Sequence, residues 1–307
     1  MKIEPNSIAI VGGRGYIGQA LSASCQANHL NVWIVGRQSA VEVNAAGAHL
    51  TYRSSKPDLV QAISGASVVV HLATVTTPAL SEKNLMLDVE NIAFTISLID
   101  ACQKARTKHL IFMSSGGTVY GEAQEPLSET SPTRPLCSYG IAKLASESYL
   151  RLAALAGTLN VTVMRCSNVY GGNQVKKGDQ GVVSYLRQCI SQDLGVHLLG
   201  DTRRDYIYID DVLSAFHRVI QTPSGFRLFN ISTGVGTSLV DLAELMYKLM
   251  KKEKKISMDE RRRFDLAYNV LRNDLAKKEL AWSPAYSLEK GLATYLSAFP
   301  NQYLSKK

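Results

Sequence analysis

Three absences narrow the possibilities first. No apolar run approaches the roughly 20 residues that span a bilayer, so no membrane helix is expected. No two of the five cysteines, Cys25, Cys102, Cys137, Cys166 and Cys189, form a Cys-x-x-Cys pair. That spacing suggests neither a structural metal site nor a disulfide framework, so most are expected to be small buried apolar residues. The opening MKIEPNSIAIVGG places Glu4 and Pro5 where a secretory signal would build its apolar core, and the expectation is a cytoplasmic protein. Finally, no acidic residue stands between Glu4 and Glu42.

Charge is uneven. The net charge is +8, and the segment from Lys248 to Arg263 holds eight basic residues against three acidic ones. No aromatic interleaving and no known nucleic-acid motif accompanies it, so nucleic acid is not the expected partner. A solvated helix end and loop is the simpler reading, and a phosphate-bearing small molecule would need only one or two of these charges.

The chain is long enough for one large α/β domain or two interlocked ones. Its first half alternates between short apolar runs (SIAIVGG, NVWIVG, ASVVVHLA, HLIFMSS, VTVMRCS) and helical stretches at Tyr16 to about Asn28, NIAFTISLIDACQKA and Ser138 to Leu155. That alternation predicts repeated βα units, hence a doubly wound parallel sheet of Rossmann type in an α/β fold. The pattern breaks after about Arg165. The expected division is a dinucleotide-binding domain over 1–165 and a smaller C-terminal substrate-binding region over 166–307. RDYIYIDDVLSAFHRVI reads as a strand and helix, of which about 205–221 returns to the core. TSLVDLAELMYKLM reads as a helix, with a capping signal at Ser238 and Asp241 and with Leu239, Leu242, Met246 and Leu249 on one face.

SIAIVGGRGYIGQAL sets Gly12, Gly13, Gly15 and Gly18 between a strand and a helix. Such glycines permit a tight turn and let the backbone approach a pyrophosphate at a helix N-terminus. The acidic residue that would bind the ribose about 20 residues further on is missing. Gly36 stands there, followed by Arg37. Arginine suits a 2′-phosphate and glycine leaves it room, with Arg14 able to add charge. The cofactor expectation is NAD or NADP, with NADP favoured.

CSYGIAKLASESYL contains Tyr139-x-x-x-Lys143. Positions i and i+4 share a helix face, so phenol and ammonium can converge. The ammonium and an oxidised nicotinamide would both favour the phenolate, making Tyr139 a general acid or base and Lys143 its partner.

On GGRGYIG, HLAT, Asn91 in VENIAFT, SSGGTVYG, SYGIAK, RCSNVYGG, RDYIYIDD and LAWSP, the chain resembles the extended short-chain dehydrogenases/reductases that act on nucleotide sugars, the NAD-dependent epimerase/dehydratase family typified by UDP-galactose 4-epimerase. The resemblance implies that Gly12, Gly15, Tyr16 and Ile17 line the pyrophosphate. It implies that Leu72, Ala73 and Thr74 border the cofactor. It gives Asn168 a substrate contact and Arg204 and Arg262 the nucleotide's diphosphate. It also implies a nucleotide-diphosphate sugar as substrate and a homodimer.

Departures cluster in MSSGGTVYG. The family's catalytic Ser or Thr falls on Gly116. If strand alternation persists, Ser114, Gly116 and Thr118 share a face and Ser115 points the other way. Thr118 is then the expected sugar-facing hydroxyl, with Ser115 the alternative if the backbone turns after the strand, and Ser114 on the nicotinamide side. The Asp/Glu pair of the family's 4,6-dehydratases is absent, which sets dehydration aside. A nucleotide-sugar 4-epimerase is the leading reading. An NADP(H)-dependent 4-keto nucleotide-sugar reductase is second, and a non-catalytic dinucleotide sensor is third.

Overall fold

The computed structural model describes residues 7–36, 40–43, 49–56, 58–174, 181–261 and 265–299. In chain order the elements begin with β1 (Ser7–Val11), α1 (Tyr16–Ala27), β2 (Asn31–Gly36), β3 (Ala40–Val43), β4 (His49–Ser54), α2 (Leu59–Ile63), β5 (Val68–His71), α3 (Pro78–Lys83) and α4 (Met86–Lys104). There follow β6 (His109–Ser115), α5 (Gly116–Val119), α6 (Ser138–Leu155), β7 (Asn160–Cys166), β8 (Asn168–Tyr170), α7 (Val182–Ser191), β9 (Val196–Leu199) and β10 (Arg203–Tyr208). The chain closes with α8 (Ile209–Gln221), β11 (Phe226–Ile231), β12 (Gly236–Ser238), α9 (Leu239–Met250), β13 (Ile256–Asp259), β14 (Tyr268–Asn269), α10 (Asp274–Leu280) and α11 (Leu288–Ser297).

The main sheet runs β11-β7-β6-β5-β1-β2-β4-β3. Seven strands are parallel and β3 closes the edge antiparallel to β4. This is the Rossmann-type α/β architecture that the alternating pattern predicts. β1 lies between β2 and β5, with Ile8 opposite Val32 on one side and Val68 on the other. The chain therefore winds outward in both directions from β1. The crevice at such a switch point, outside the carboxyl ends of the strands, is where an open α/β sheet binds ligands. At the opposite ends, Ser67 donates from its backbone N to Ser7 Oγ (3.0 Å) and from its own Oγ to Ser7 O (2.9 Å), so buried polar groups lock β1 to β5.

The central strands are largely apolar and buried, as strands of a parallel sheet covered on both faces are. One face packs Val11, Trp33, Val69, Leu110, Phe112 and Val161 into a core with Leu98 and Cys102 of α4 and Leu150 of α6. The Trp33 indole donates to Ala62 O at 2.9 Å, which satisfies its one polar group. The polar stretch TYRS contributes to β4, with Trp33 opposite Thr51 and Val35 opposite Arg53. Its polar composition suits a position near the sheet edge, where Arg53 stacks 4.1 Å over the Trp33 ring.

The chain forms two compact units. The first comprises Met1–Ser115, Cys137–Arg165 and Leu213–Phe229, and the second Gly116–Leu136, Cys166–Val212 and Asn230–Lys307. Within the second, β10 pairs with β8 and β14 in parallel and with β12 antiparallel. Asp205 is fully buried and organises these strands, accepting from Ser167 Oγ, from Thr233 N and Oγ1, and from Gly234 N. The α9 cap is as expected, Ser238 Oγ accepting from Asp241 N at 3.0 Å. The buried face differs. It comprises Leu242, Ala243, Met246 and Tyr247, while Leu239 and Leu249 are only half-buried.

Candidate active site

β1 ends at Val11 and the chain turns at Gly12, whose φ of +89° lies in the left-handed region that favours glycine. A Cβ there would stand 2.5 Å from the backbone N of Ala73. The turn after β1 and the chain after β5 thus meet backbone to backbone, which only glycine permits. Gly15 N donates to Gly12 O at 3.1 Å and α1 begins at the next residue. α1 has no side-chain cap and no acidic residue in its first turn. Its first N–H groups and the positive end of its dipole are left for an anion. Gly18 packs directly on Gly13, drawing α1 onto the turn. The cradle around Gly12 and Gly15, with Tyr16 and Ile17 opening the helix, fits a dinucleotide pyrophosphate.

At the end of β2, a Cβ on Gly36 would meet nothing within 4 Å. The space is open, as a 2′-phosphate would need. Arg14 is exposed on the glycine turn. Arg37 lies outside the described residues.

Ala73 and Thr74, after β5, share one pocket with Tyr139 and Lys143 of α6 and with Asp88 and Asn91 of α4. Leu72 N donates to Val11 O at 2.8 Å, extending the β1–β5 pairing to the pocket's edge. Tyr139 and Lys143 sit one turn apart, as the spacing requires. Lys143 is 9% exposed; its Nζ donates to Met113 O at 2.9 Å and stands 4.7 Å from the Phe112 ring centroid and 5.6 Å from that of Tyr139. The ammonium is thus pinned between the end of β6 and the tyrosine.

Burial pushes the Tyr139 phenol above its ordinary value by desolvating the charged form, and the neighbouring Cys137 and Asp88 add to the rise.

Sequence reasoning missed the polar floor of this pocket. Asp88 is buried and its Oδ1 accepts from Thr76 Oγ1 (2.8 Å) and Ser81 Oγ (3.1 Å). Asn91, noted above only as part of the resemblance, donates to Thr76 Oγ1 (2.7 Å) and accepts from Val75 N (3.0 Å), holding the loop after β5. His71 bonds Thr95 Oγ1 at 3.0 Å and lies between the rings of Phe94 and Phe112. Burial, with Lys143 adding like charge, lowers its pKa to about 3, so it is neutral. A lone histidine closing the apolar run VVVH was the available signal.

The stretch at the end of β6 also differs from its reading. β6 stops at Ser115 and the helical turn α5 begins at Gly116, so alternation does not carry Gly116 and Thr118 onto one pleated face. The condition favouring Ser115, a backbone that turns after the strand, is met, and Ser115 is half-buried. Ser114 is only 3% exposed, and its hydroxyl donates to Glu147 Oε1 at 2.5 Å. Glu147 is held in turn by Arg165, Nη2 to Oε2 at 2.6 Å, in a buried pair. The proton of Ser114 thus serves this network. Gly116 contributes its carbonyl, which accepts from the buried Asn269 Nδ2 at 3.1 Å.

In the second unit, Asn168 on β8 donates Nδ2 to Asp205 O at 2.9 Å. Arg204 lies on β10, and its Nη1 is buried without a hydrogen-bond partner. Burial lowers the guanidinium's pKa; Tyr206, Asp265 and Glu122 oppose that effect, and Arg261 adds like charge. Glu122 pairs with Arg261 at 3.5 Å and accepts from Ala267 N at 2.8 Å, fixing this segment. An unsatisfied guanidinium N–H beside a second arginine suits a diphosphate. Arg262 lies outside the described residues. Among the described residues no cluster of three or more His, Cys, Asp or Glu could hold a metal ion, and no helix is long and apolar enough to cross a membrane.

Residues 8–232 match the model of the NAD dependent epimerase/dehydratase family. The chain is 29% identical to the dTDP-4-dehydro-6-deoxyglucose reductase of Escherichia coli over 306 residues, covering 95% of this chain and 97% of the relative. It is 29% identical to a UDP-glucose 4-epimerase of Mycolicibacterium smegmatis, covering 95% and 98%. The structure of a Thermotoga maritima UDP-glucose 4-epimerase with UDP-glucose superposes with a TM-score of 0.87 at 30% identity, covering 95% and 97%. MoeE5, solved with UDP-glucuronic acid and NAD, gives 0.86 at 26%, covering 95% and 98%.

Proposed function

Because this chain belongs to the NAD dependent epimerase/dehydratase family, we propose that it is a nucleotide-sugar 4-epimerase, inverting C4 by transient oxidation. The observation that carries the reading is the convergence of Tyr139 and Lys143 with Ala73 and Thr74 in one pocket at the carboxyl ends of the switch-point strands.

When bound, a nicotinamide supplies the hydride acceptor and donor and, in its oxidised form, a positive charge. The glycine cradle and the uncapped start of α1 would hold its pyrophosphate, and Lys143 its ribose. Tyr139 takes the proton of the C4 hydroxyl in the oxidising direction and returns one to the ketone oxygen in the reducing direction, so no proton is consumed overall. Ser115 is now the preferred hydroxyl to bond the reacting oxygen, with Thr118 second. Arg204, with Arg262, holds the diphosphate and Asn168 contacts the substrate. Anchoring by the nucleotide leaves the sugar free to present its other face. The relatives named UDP-glucose 4-epimerase support a nucleotide-diphosphate sugar as substrate.

One observation favours the second reading, an NADP(H)-dependent reductase of a 4-keto nucleotide sugar. β2 ends in open space at Gly36, without a carboxylate for the ribose, and the relative from Escherichia coli is named a reductase. Purification separates the two. Retained NAD supports the epimerase, whereas an empty site that takes NADPH supports the reductase.

Incubation with UDP-glucose, followed by NMR at C4, tests the reaction itself. Tyr139→Phe is expected to lower turnover at least about 100-fold, and wild-type turnover in that variant would refute the mechanism. Ser115→Ala is expected to cost more than Thr118→Val, and the reverse order would restore Thr118.

The first unit's surface supports a homodimer. α4 exposes Val89 and Ile96, and α6 exposes Ile141, Tyr149 and Leu152. An apolar surface on two packed neighbouring helices suits a second copy of the chain.

A further inference from the structure

We propose that Asp88 is a positioning residue that acts on the reaction through Tyr139, as the electrostatic counterweight to Lys143. The proposal deepens, and rests on, the reading of Tyr139 as the acid/base.

The geometry comes first. Asp88 sits in the first turn of α4, 3% exposed. Three donors converge on one oxygen: Thr76 Oγ1 at 2.8 Å, Ser81 Oγ at 3.1 Å and Asn91 Nδ2 at 3.5 Å reach Oδ1. The other oxygen, Oδ2, is buried with no hydrogen-bond partner. The carboxylate is therefore fixed from one side only, in the wall of the pocket that Tyr139 and Lys143 also line. Stability alone does not explain this arrangement, because a buried carboxylate oxygen without a partner is costly.

The groups facing Tyr139 come from three elements. α6 supplies Lys143, and Cys137 precedes that helix. β5 supplies His71, which is neutral at working pH. α4 supplies Asp88. Glu82 of α3 bonds Ser138 N at 3.3 Å and acts on Cys137. After burial, Cys137 and then Asp88 are the causes that raise the Tyr139 phenol. At low local dielectric one charge is felt strongly by its neighbour.

The consequence is a bias in the proton chemistry. The phenolate accepts the proton of an alcohol, and the neutral phenol donates one to a ketone. Lys143 favours the first form and Asp88 the second. Asp88 thus weights the pocket toward the ketone-reducing half of the cycle and keeps the phenol protonated until positive charge arrives.

The test uses the enzyme with its bound nicotinamide cofactor. Asp88→Asn keeps an oxygen for the three donors and removes the charge; Asp88→Ser is a second neutral variant should the first not fold. Two readouts are taken: the pH midpoint for reduction of bound NAD by UDP-glucose, and the pH midpoint of the phenolate absorbance that Tyr139→Phe abolishes. Both are expected to fall by about one pH unit, with Asp88→Glu returning them toward wild type. A purely structural role would change rates without moving both midpoints together. Midpoints that stay put or rise in the neutral variants overturn the proposal. So does a shift seen in Cys137→Ser but not in Asp88→Asn, which would assign the charge to the thiol. If instead Tyr139→Phe still turns over, it is the acid/base reading that fails.

Discussion

Under the proposed function two places in this chain would receive phosphate, and they use opposite means. At the start of α1 the means are mainly backbone: glycines bring N–H groups forward and the helix begins uncapped, with no acidic residue in its first turn. On β10 the recognition is a side-chain charge, Arg204, buried with an N–H left unpaired. The first kind of site is almost free in the unliganded protein, because the orphan N–H groups of a helix start are there in any case. The second leaves a desolvated cation waiting for its partner. Backbone sites should therefore fail through shape, and charge sites through electrostatics.

The largest effect expected is at the backbone site. Gly12→Ala must adopt φ near +89° and place a methyl 2.5 Å from Ala73 N. A left-handed conformation alone costs about 1–2 kcal/mol, and the clash adds to it. Cofactor affinity, measured by fluorescence titration with NAD and NADP, should fall by at least about 100-fold. Near-normal binding would mean that the β1–β5 backbone contact is not what shapes the cradle.

Arg204 should split stability from function. Arg204→Met removes a buried cation whose Nη1 has no hydrogen-bond partner, so the urea midpoint of the free protein should rise. KM for the nucleotide sugar should also rise, by about 30- to 150-fold, since a charge-assisted contact contributes roughly 2–3 kcal/mol. A lower midpoint would show that Arg204 is already satisfied without substrate.

Gly15→Asp sharpens the contrast at smaller scale. The Gly15 backbone is extended, with φ −73° and ψ 168°, which any residue adopts. An aspartate there would cap α1 and complement its dipole, stabilising the helix by a few tenths of a kcal/mol to about 1. It would also occupy the anion site, so cofactor binding should weaken roughly tenfold. Ser238, which caps α9, already fills that role where no ligand is expected.

A pH effect of another kind concerns the sheet that supports the cradle. His71 and His109 are buried, which depresses them to about 3 and about 4 from an ordinary 6.5; like charge at Lys143 and Arg227 respectively adds to the effect. The folded state then binds fewer protons than the unfolded chain between these values. The stability they contribute is present above about pH 6.5 and is lost as the pH falls toward 4. The urea midpoint should drop between pH 7 and pH 5, corresponding to up to about 2 kcal/mol per histidine. His71→Gln should flatten that dependence, and an unchanged slope would mean that His71 is not held neutral.

The same division, backbone against side chain, governs what could be read in advance. The strands NVWIVG and HLIFMSS and the helix Ser138–Leu155 were legible to the residue, because apolar runs and a 3.6-residue period depend on local burial. The glycine turn and the Tyr139–Lys143 pair were legible because spacing along one turn fixes their geometry. The shared face of Ser114, Gly116 and Thr118 was misjudged because pleating ends at Ser115, and nothing in SSGGTV marks where a strand gives way to a helical turn. The bond of Ser114 was not legible because its partners, Glu147 and then Arg165, come from α6 and β7. The α9 face was rotated toward Ala243 and Tyr247 because the neighbours of a helix, not its own period, choose which stripe is buried.

The sequence by itself determined the doubly wound fold, the glycine turn before α1 and the pairing of a tyrosine with a lysine, because each rests on local pattern and spacing along the chain. Only the tertiary structure decided the electrostatic state of that tyrosine. Burial depends on the whole fold around it, and the charges that count, Asp88 on α4 and Lys143 on α6, come from segments more than fifty residues apart. Coulomb energy follows distance in space and local dielectric, and neither is written along the chain.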